Sequence, residues 1–248
     1  MTLLKAQGTR LIEVVAETGS TNADMAARLR SGDYVPEGCW LVADRQTAGR
    51  GRHGRAWFDG AGNFMGSTVV RHGHGDPPPA TLALVAGLAV HEAVAKHVPG
   101  DAGLMLKWPN DVMVGAAKLA GILLEREGDA VIIGIGVNLV AGPEVPGRET
   151  AALSAFGPAP ERDGFAESLA SSFALELERW RYFGIEPILP RWLAAGHGIG
   201  TRLSVGGTGK TPLQGVFAGL SPDGALQLRL ADGTTQLIHA GEVHFVRS

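Results

Sequence analysis

The chain has 248 residues, of which 45% are hydrophobic and 19% are charged, and its formal net charge is -3. This length suits one large domain, alone or with a smaller one, and the composition excludes a disordered tail or a coiled coil. The acidic balance does not favour nucleic acid as a partner. The single cysteine, Cys39, excludes an internal disulfide, and the most apolar segment, 80–98, carries four ionisable side chains, unlike a membrane span. We therefore expect a cytoplasmic globular protein that does not enter a membrane.

The first part of the chain carries alternating strand and helix signals. Its polarity patterns predict strands over 10–16, 39–43 and 63–71. They predict a short helix over 23–30, capped by residues 20–22, and a buried helix over 80–98. Between these elements, the segment 45–62 is too rich in glycine and arginine to be regular, so we expect a loop there.

The second part of the chain begins with strand-like runs that follow one another directly, which predicts consecutive antiparallel pairing. These runs are 104–108, 111–114, 118–125 and 130–139. After a loop over 141–160, apolar residues at helical spacing predict a helix that ends near Gly184, and a second short helix over 188–195. The last segment, 201–248, alternates short strands with turns and predicts a separate small β-barrel.

Two glycine motifs resemble nucleotide-binding loops but lack the required context. Gly49, Gly51 and Gly54 match a dinucleotide fingerprint, yet no helix is predicted to begin there. The segment 206–211 echoes a phosphate-binding loop, but Ser204 stands where that motif needs glycine and a strand follows. We predict a hairpin turn at this point.

The loop over 45–57 is distinguished by four arginines within eleven residues. Its glycines leave backbone N–H groups accessible, so the segment is a flexible cationic loop suited to binding a phosphate or a carboxylate group. An RNA-binding segment rich in arginine and glycine is the alternative interpretation. Against it, aromatic residues do not alternate with the arginines, so nucleic-acid bases would find few surfaces on which to stack.

Two further segments place lysine beside other polar groups. Residues 107–111, KWPND, bring an ammonium, an amide and a carboxylate into one tight turn, although a turn with a surface lysine is also ordinary chemistry. Lys118 heads an otherwise apolar strand, where an ammonium is costly without an anionic partner. The small residues Ala120 and Gly121 beside it would let a ligand approach the backbone.

Five motifs occur together in one order along the chain. They are GSTN (19–22), GRGRHGRAW (49–57), KWPND (107–111), KLAGIL (118–123) and GIGVNL (134–139). In this combination the chain resembles the biotin protein ligases. The resemblance implies an α+β fold, with a class II synthetase-like mixed sheet flanked by helices over 1–198 and an SH3-like β-barrel over 199–248. Only 18 residues precede Gly19, so we expect the form without an N-terminal DNA-binding domain, and no binding to DNA.

The resemblance also implies a two-step reaction. Biotin and MgATP would give biotinyl-adenylate and pyrophosphate, and a lysine of a biotin carboxyl carrier protein would then accept the biotinyl group. A lipoate or octanoate ligase would share this fold and reaction type. A nucleic-acid-binding module that uses the arginine loop is the alternative from a different class. Some relatives pair through their sheets, so the resemblance is compatible with a homodimer.

The same resemblance assigns roles to individual residues. The biotin pocket would comprise Ser20, Thr21, Asn22, Gln46, Arg50, Gly51, Arg52, Lys118 and Gly121. ATP and the adenylate would contact Arg50, Arg52, Arg55, Trp57, Lys107, Asn110 and Asn138. The catalytic groups would be Lys118, Arg52, Lys107 and Asp111, with Asp111 at Mg²⁺.

Three of these assignments carry further expectations. Lys118 would bridge the biotin carboxylate and the α-phosphate. Trp57 and Asn138 would face the adenine, although Trp57 could instead cap the core and Asn138 could be an ordinary turn residue. The loop arginines have no evident partners in the sequence, so we expect the loop to stay open until an anionic ligand binds.

Overall fold

The computed structural model describes residues 2–5, 11–206 and 212–246 of the chain. In these ranges the chain forms two β-sheets and a set of α-helices. The first sheet contains β1 Thr2–Lys5, β2 Leu11–Thr18, β3 Trp40–Gln46, β4 Phe64–Arg71, β5 Leu104–Lys107, β6 Asp111–Val114, β7 Ala117–Glu127 and β8 Ala130–Val137. The second contains β9 Arg202–Gly206, β10 Leu213–Leu220, β11 Leu226–Arg229, β12 Thr235–Ile238 and β13 Glu242–Phe245. The helices are α1 Thr21–Ser31, α2 Leu82–Ala95, α3 Arg162–Phe183 and α4 Ile188–Ala195.

The first sheet is mixed, with the strand order β1-β2-β3-β4-β8-β7-β6-β5. Strands β2 and β3 pair in parallel, because α1 carries the chain back between them, and every other neighbouring pair is antiparallel. The predicted antiparallel succession from β5 to β8 is confirmed. The sequence did not indicate the parallel pair, since a short helix between two strands is equally compatible with other arrangements.

The core lies between the sheet and the helices. Helix α2 is buried on nearly every side, because it packs against α3 and α4 as well as against the sheet. The predicted stripe on α3 is confirmed, since Phe165, Leu169, Phe173 and Trp180 are all buried. Where a helix over 80–98 was predicted, a short 3-10 turn, Pro79–Thr81, precedes α2. In the part of the chain that is described, no helix is long and apolar enough to cross a membrane.

The second sheet is antiparallel throughout, in the order β12-β11-β10-β9-β13. It is the small C-terminal β-unit that the sequence predicts. Residues 207–211 of the predicted hairpin turn lie outside the described residues. The unit docks beside β5, where Trp108 Nε1 donates a hydrogen bond to the carbonyl oxygen of Gly224 at 3.0 Å. This docking brings the start of β13 next to the β5–β6 turn.

Candidate active site

A cavity of about 370 Å³ opens at the junction of the two sheets. Its walls come from the start of α1, the arginine loop, the β5–β6 turn, strands β7 and β8, and the start of β13. All fifteen residues to which the sequence assigned roles line it: Ser20, Thr21, Asn22, Gln46, Arg50, Gly51, Arg52, Arg55, Trp57, Lys107, Asn110, Asp111, Lys118, Gly121 and Asn138. Segments that are far apart in the chain therefore meet at one site of the size that small-molecule ligands occupy.

One end of the cavity is closed by a buried hydrogen-bond network. Because α1 begins at Thr21, its first N–H groups lack partners within the helix, and Thr21 N donates to Gln46 Oε1 on β3 at 2.8 Å. Thr21 Oγ1 lies 2.7 Å from Ser67 Oγ on β4, and Ser67 donates to Asn22 Oδ1 at 2.6 Å. Asn22 Nδ2 donates in turn to Glu125 Oε2 on β7 at 2.7 Å. We call these five residues the closed-end network.

The floor of the cavity is made of glycines that side chains would obstruct. A Cβ placed on Gly134 would lie 2.4 Å from Asn22 Oδ1, and one on Gly136 would lie 2.2 Å from the indole of Trp57. The Trp57 ring therefore rests directly on the sheet inside the cavity. Its Nε1 is buried and has no hydrogen-bond partner among the described residues. Trp57 thus lies in the site, and its stacking on adenine stays a prediction.

Lys118 has the anionic partner that its position on an apolar strand requires. Its Nζ lies 2.5 Å from Asp111 Oδ1, and the two side chains are only 17% and 20% exposed. A register shift between Val112 and Met113 in the β6–β7 pairing allows both polar groups to reach the cavity. The ammonium is therefore held at the cavity wall by a carboxylate seven residues away in the chain.

Two further cations lie where the first sheet meets the second. Lys107 Nζ lies 5.3 Å from the centroid of the Phe245 ring, and Arg52 Nη2 donates to the carbonyl oxygen of Gly241 at 3.3 Å. Burial lowers the pKa of both Lys107 and Arg52. Asn110 accepts a hydrogen bond from Arg52 at 3.1 Å and donates to the carbonyl oxygen of Ile122, so its amide supports Arg52.

The remaining loop arginines are paired with carboxylates, which corrects the expectation that they lack partners. Both terminal nitrogens of Arg55 donate to Glu242, at 2.6 and 2.5 Å, and Arg148 donates to the same carboxylate at 2.8 Å. Arg50 lies 3.6 Å from Glu125. Hydrogen bonding from Arg55 lowers the pKa of Glu242 to about 2. No local pattern could indicate these pairs, since Glu242 is 187 residues from Arg55.

Asn138 carries an unused acceptor. Its Nδ2 donates to the carbonyl oxygen of Ala151 at 3.0 Å, whereas its Oδ1 is buried and receives no hydrogen bond from any described residue. An unpartnered buried acceptor is costly, which favours a donor supplied by a ligand. The role at adenine remains a prediction, and this geometry supports it over that of an ordinary turn residue.

The described residues contain no group of three or more His, Cys, Asp or Glu side chains that could hold a metal ion. Asp111 lines the cavity with one carboxylate, and Lys118 occupies one of its oxygens. Magnesium that arrives with ATP needs only one or two protein carboxylates besides the phosphates. The donor set therefore fits a magnesium ion carried by a nucleotide and does not fit a cage built by the protein alone.

Comparison with known proteins decides the family. Residues 17–138 match the biotin/lipoate A/B protein ligase family, and residues 199–246 match the biotin protein ligase C-terminal domain. The chain is 38% identical over 243 residues to a biotin–[acetyl-CoA-carboxylase] ligase from Paracoccus denitrificans, and the match covers 94% of this chain and 99% of that protein. This chain belongs to the biotin protein ligase family.

Other relatives of the family agree with this assignment. A biotin–[acetyl-CoA-carboxylase] ligase from Mycobacterium tuberculosis is 37% identical, with 97% of this chain and 91% of that protein covered. The structure of the biotin protein ligase from Aquifex aeolicus in complex with biotin and ATP matches with a TM-score of 0.80 at 27% identity, covering 96% of this chain and 99% of that one. The predicted resemblance and fold class of this biotin protein ligase are confirmed.

Proposed function

We propose that this chain activates biotin with ATP to biotinyl-adenylate and then transfers the biotinyl group to a lysine of a biotin carboxyl carrier domain. The observation that carries the proposal is the single cavity that joins a polar closed end to a strongly cationic open end. Relatives named as biotin–[acetyl-CoA-carboxylase] ligases, and a solved relative that holds biotin and ATP, support the same chemistry.

The closed end suits the ureido ring of biotin, which has one carbonyl oxygen and two N–H groups. Gln46 Oε1 already accepts from Thr21 N, so the Gln46 amide is left to donate. The hydroxyl of Ser20 makes no capping hydrogen bond to α1 and lines the cavity as a second donor. The Thr21 hydroxyl oxygen accepts a hydrogen bond from an N–H group of the ring, and Asn22 and Gly121 complete the wall.

The open end suits the first chemical step, in which the biotin carboxylate attacks the α-phosphorus of ATP. Two unit charges of the same sign repel by about 4 kcal/mol at 4 Å with an effective dielectric constant of 20. Lys118 would offset this repulsion between the two anions, and the positive charges of Arg50 and Arg52 in the loop would reduce the repulsion further. Since Arg52 and Lys107 are buried deeply enough to lower the pKa of each, little water would screen their charges.

The nucleotide would lie along the junction with the second sheet. The free Oδ1 of Asn138 would accept a hydrogen bond from the adenine amino group, and Trp57 would stack on the ring. Lys107 and Arg55 would contact phosphates, with Asn110 holding Arg52 in place. Asp111 would hold the Mg²⁺ that accompanies ATP, and that ion would add positive charge at the phosphates.

In the second step the neutral amine of the carrier lysine would attack the carbonyl carbon of the mixed anhydride. The bond between that carbon and the phosphate oxygen would break, AMP would leave with the bonding electron pair, and the amine nitrogen would lose one proton to solvent water. Lys118 and Arg52 would stabilise the negative charge that develops on the phosphate. The carrier domain must therefore reach the open end of the cavity.

We also propose that residues 1–198 form the ligase domain and 199–248 the C-terminal domain. Because Gly241 and Glu242 contact Arg52 and Arg55, a chain that ends at residue 198 should lose adenylate formation even where its sheet remains folded. A homodimer and a cytoplasmic location remain proposals. Sedimentation would test the first, and the fractionation of cells would test the second.

Exchange of labelled pyrophosphate into ATP tests the first step of the proposed function. We expect exchange that depends on biotin and is absent with lipoate or octanoate. Exchange with lipoate and none with biotin would overturn the proposal in favour of a lipoate ligase. Retention of the chain on RNA or DNA at moderate salt would instead favour a nucleic-acid-binding module.

A further inference from the structure

Ser67 belongs to the closed-end network but does not itself line the cavity. Its side chain is fully buried on β4. We propose that Ser67 is a specificity-determining residue: it fixes the direction of the Thr21 hydroxyl, so that Thr21 accepts a hydrogen bond from the ligand instead of donating one. This inference rests on the proposed function and concerns how the same site selects biotin.

The direction of the network is set at its far end by Glu125. An ionised carboxylate can only accept hydrogen bonds, so the Asn22 atom that faces Glu125 at 2.7 Å must be Nδ2. The other atom of the Asn22 amide is then the acceptor Oδ1. Ser67 Oγ, 2.6 Å from Oδ1, must therefore donate its only proton to Asn22.

Because Ser67 has no second proton, it must be the acceptor in its contact with Thr21. The Thr21 hydroxyl also has a single proton, and two oxygens lie within its reach: Ser67 Oγ at 2.7 Å and Gln46 Oε1 at 3.1 Å. Gln46 Oε1 already accepts the backbone N–H of Thr21 at 2.8 Å. The contact with Ser67 is the shorter of the two, and two hydroxyl oxygens 2.7 Å apart need a proton between them, so the proton of Thr21 goes to Ser67. The lone pairs of the Thr21 oxygen are left for a ligand in the cavity.

A buried lone pair of this kind must be met by a donor, because an unsatisfied acceptor costs free energy. The ureido ring of biotin brings N–H donors. The dithiolane ring of lipoate and the alkyl chain of octanoate bring none. A site with a fixed acceptor therefore rejects ligands that cannot donate, more strongly than an apolar pocket could.

The Ser67→Ala variant tests this proposal by pyrophosphate exchange. Loss of the Ser67 oxygen leaves the Thr21 hydroxyl free to rotate, so that its proton can point into the cavity and its lone pairs no longer face the ligand at all times. The KM for biotin should therefore rise about tenfold, while the KM for ATP stays unchanged. A second ligand sharpens the test: biotin methylated at each ureido nitrogen in turn. One of the two compounds is methylated at the nitrogen that donates to Thr21. Its loss of affinity relative to biotin should be about tenfold smaller in Ser67→Ala than in the unaltered chain.

Thr68→Val supplies the matched control. Thr68 is the next residue of β4, equally buried, and its hydroxyl donates to the carbonyl oxygen of Cys39, away from the cavity. Both KM values should be unchanged in this variant. A parallel rise of both KM values in Ser67→Ala, or equal penalties for methylation in the two proteins, would overturn the proposal. Absence of biotin-dependent exchange in the unaltered chain would instead overturn the proposed function.

Discussion

The two ends of the cavity hold their polar groups in different ways. At the closed end, Thr21, Asn22, Gln46 and Ser67 are at least nine-tenths buried and are joined by hydrogen bonds, with Glu125 as the one carboxylate of the network. At the open end, Lys118 is paired with Asp111, and Arg55 is paired with Glu242 from a distant part of the chain and is still 48% exposed. The closed end is thus preorganised for a neutral ring. The cations of the open end are paired with protein groups, and an anionic ligand can replace those groups.

The largest loss is expected at the open end, from Lys118→Ala. Removing the ammonium leaves the repulsion between carboxylate and α-phosphate uncompensated, so adenylate formation should fall by about three powers of ten. Pyrophosphate exchange measures this loss, and circular dichroism should show that the fold is retained. Lys96→Ala is the matched control, since Lys96 donates to Ser168 on the exposed surface. Near-normal exchange in Lys118→Ala would show that Lys118 takes no part in adenylate formation and is only a structural residue of its strand.

At the closed end, Gly134→Ala should be the most damaging small change. Its Cβ would lie 2.4 Å from Asn22 Oδ1, so the closed-end network must shift. We expect the KM for biotin to rise by about ten- to a hundredfold, with a smaller change in the KM for ATP. Gly164→Ala on α3 is the control, because its Cβ meets nothing within 4 Å. Equal effects of the two variants on the KM for biotin would contradict the description of the closed end.

A smaller effect is expected from Glu242→Gln, which weakens the contact between the loop and β13. The pKa of Glu242 is about 2, below its usual value of 4.5, so its ionised form stabilises the fold above pH 4.5. This stabilisation is lost as the pH falls through the folded-state pKa. At pH 7 the variant should lose about 1 kcal/mol of unfolding free energy, and the difference should shrink by pH 3.

Urea unfolding at several pH values measures this difference between the two proteins. Glu167→Gln, a change of an exposed carboxylate on α3, is the control for the loss of a surface charge. A difference for Glu242→Gln that is unchanged between pH 7 and pH 3 would show that its ion pairs do not stabilise the fold.

The smallest effect on stability at neutral pH is expected from His197→Leu, below the open end. His197 is buried among Trp192, Phe217 and Phe245, and its ring nitrogens have no partner among the described residues. Burial, with a further contribution from Lys107, lowers the pKa of His197 to about 4. The folded protein therefore keeps a neutral ring while the unfolded chain takes up a proton below about pH 6.5.

It follows that the stability of the unaltered chain should fall between pH 6.5 and pH 4 more steeply than that of His197→Leu. Thermal unfolding across this range measures the two slopes, and His74→Leu, at an exposed position, is the control. Identical slopes in the unaltered chain and in His197→Leu would show that this ring is protonated freely in the folded state.

Sequence reasoning found ligand-facing residues at both ends of the cavity but missed groups that hold them in place. Lys118 was assigned a need for an anionic partner, and the structure supplies Asp111 from the neighbouring strand. Ser67 gave no signal, because a serine inside an apolar strand is common and its role depends on contacts to Thr21 and Asn22 on α1. Glu242 was missed for the same reason, since its partners meet it only after the two sheets dock. Local motifs predict which chemistry is present, and the pairing of distant strands decides how each group is oriented.

The fold shows the same division. The run of antiparallel strands from β5 to β8 could be predicted, because short turns leave little choice of partner. The parallel pairing of β2 with β3 could not, since it depends on where α1 packs. The length of the α2 helix was overestimated at both ends, because Pro79–Thr81 form a 3-10 turn and the helix ends at Ala95.

The central claim is that the two ends of this cavity join biotin to a protein lysine. It is tested most directly by incubating the chain with biotin, MgATP and a purified biotin carboxyl carrier domain, and measuring the intact mass of the carrier. The account predicts a gain of one biotinyl group on a single lysine, which is absent without ATP. The account would be contradicted if the mass of the carrier stayed unchanged while, in a parallel reaction, the chain attached lipoate or octanoate to the acceptor domain for that acid.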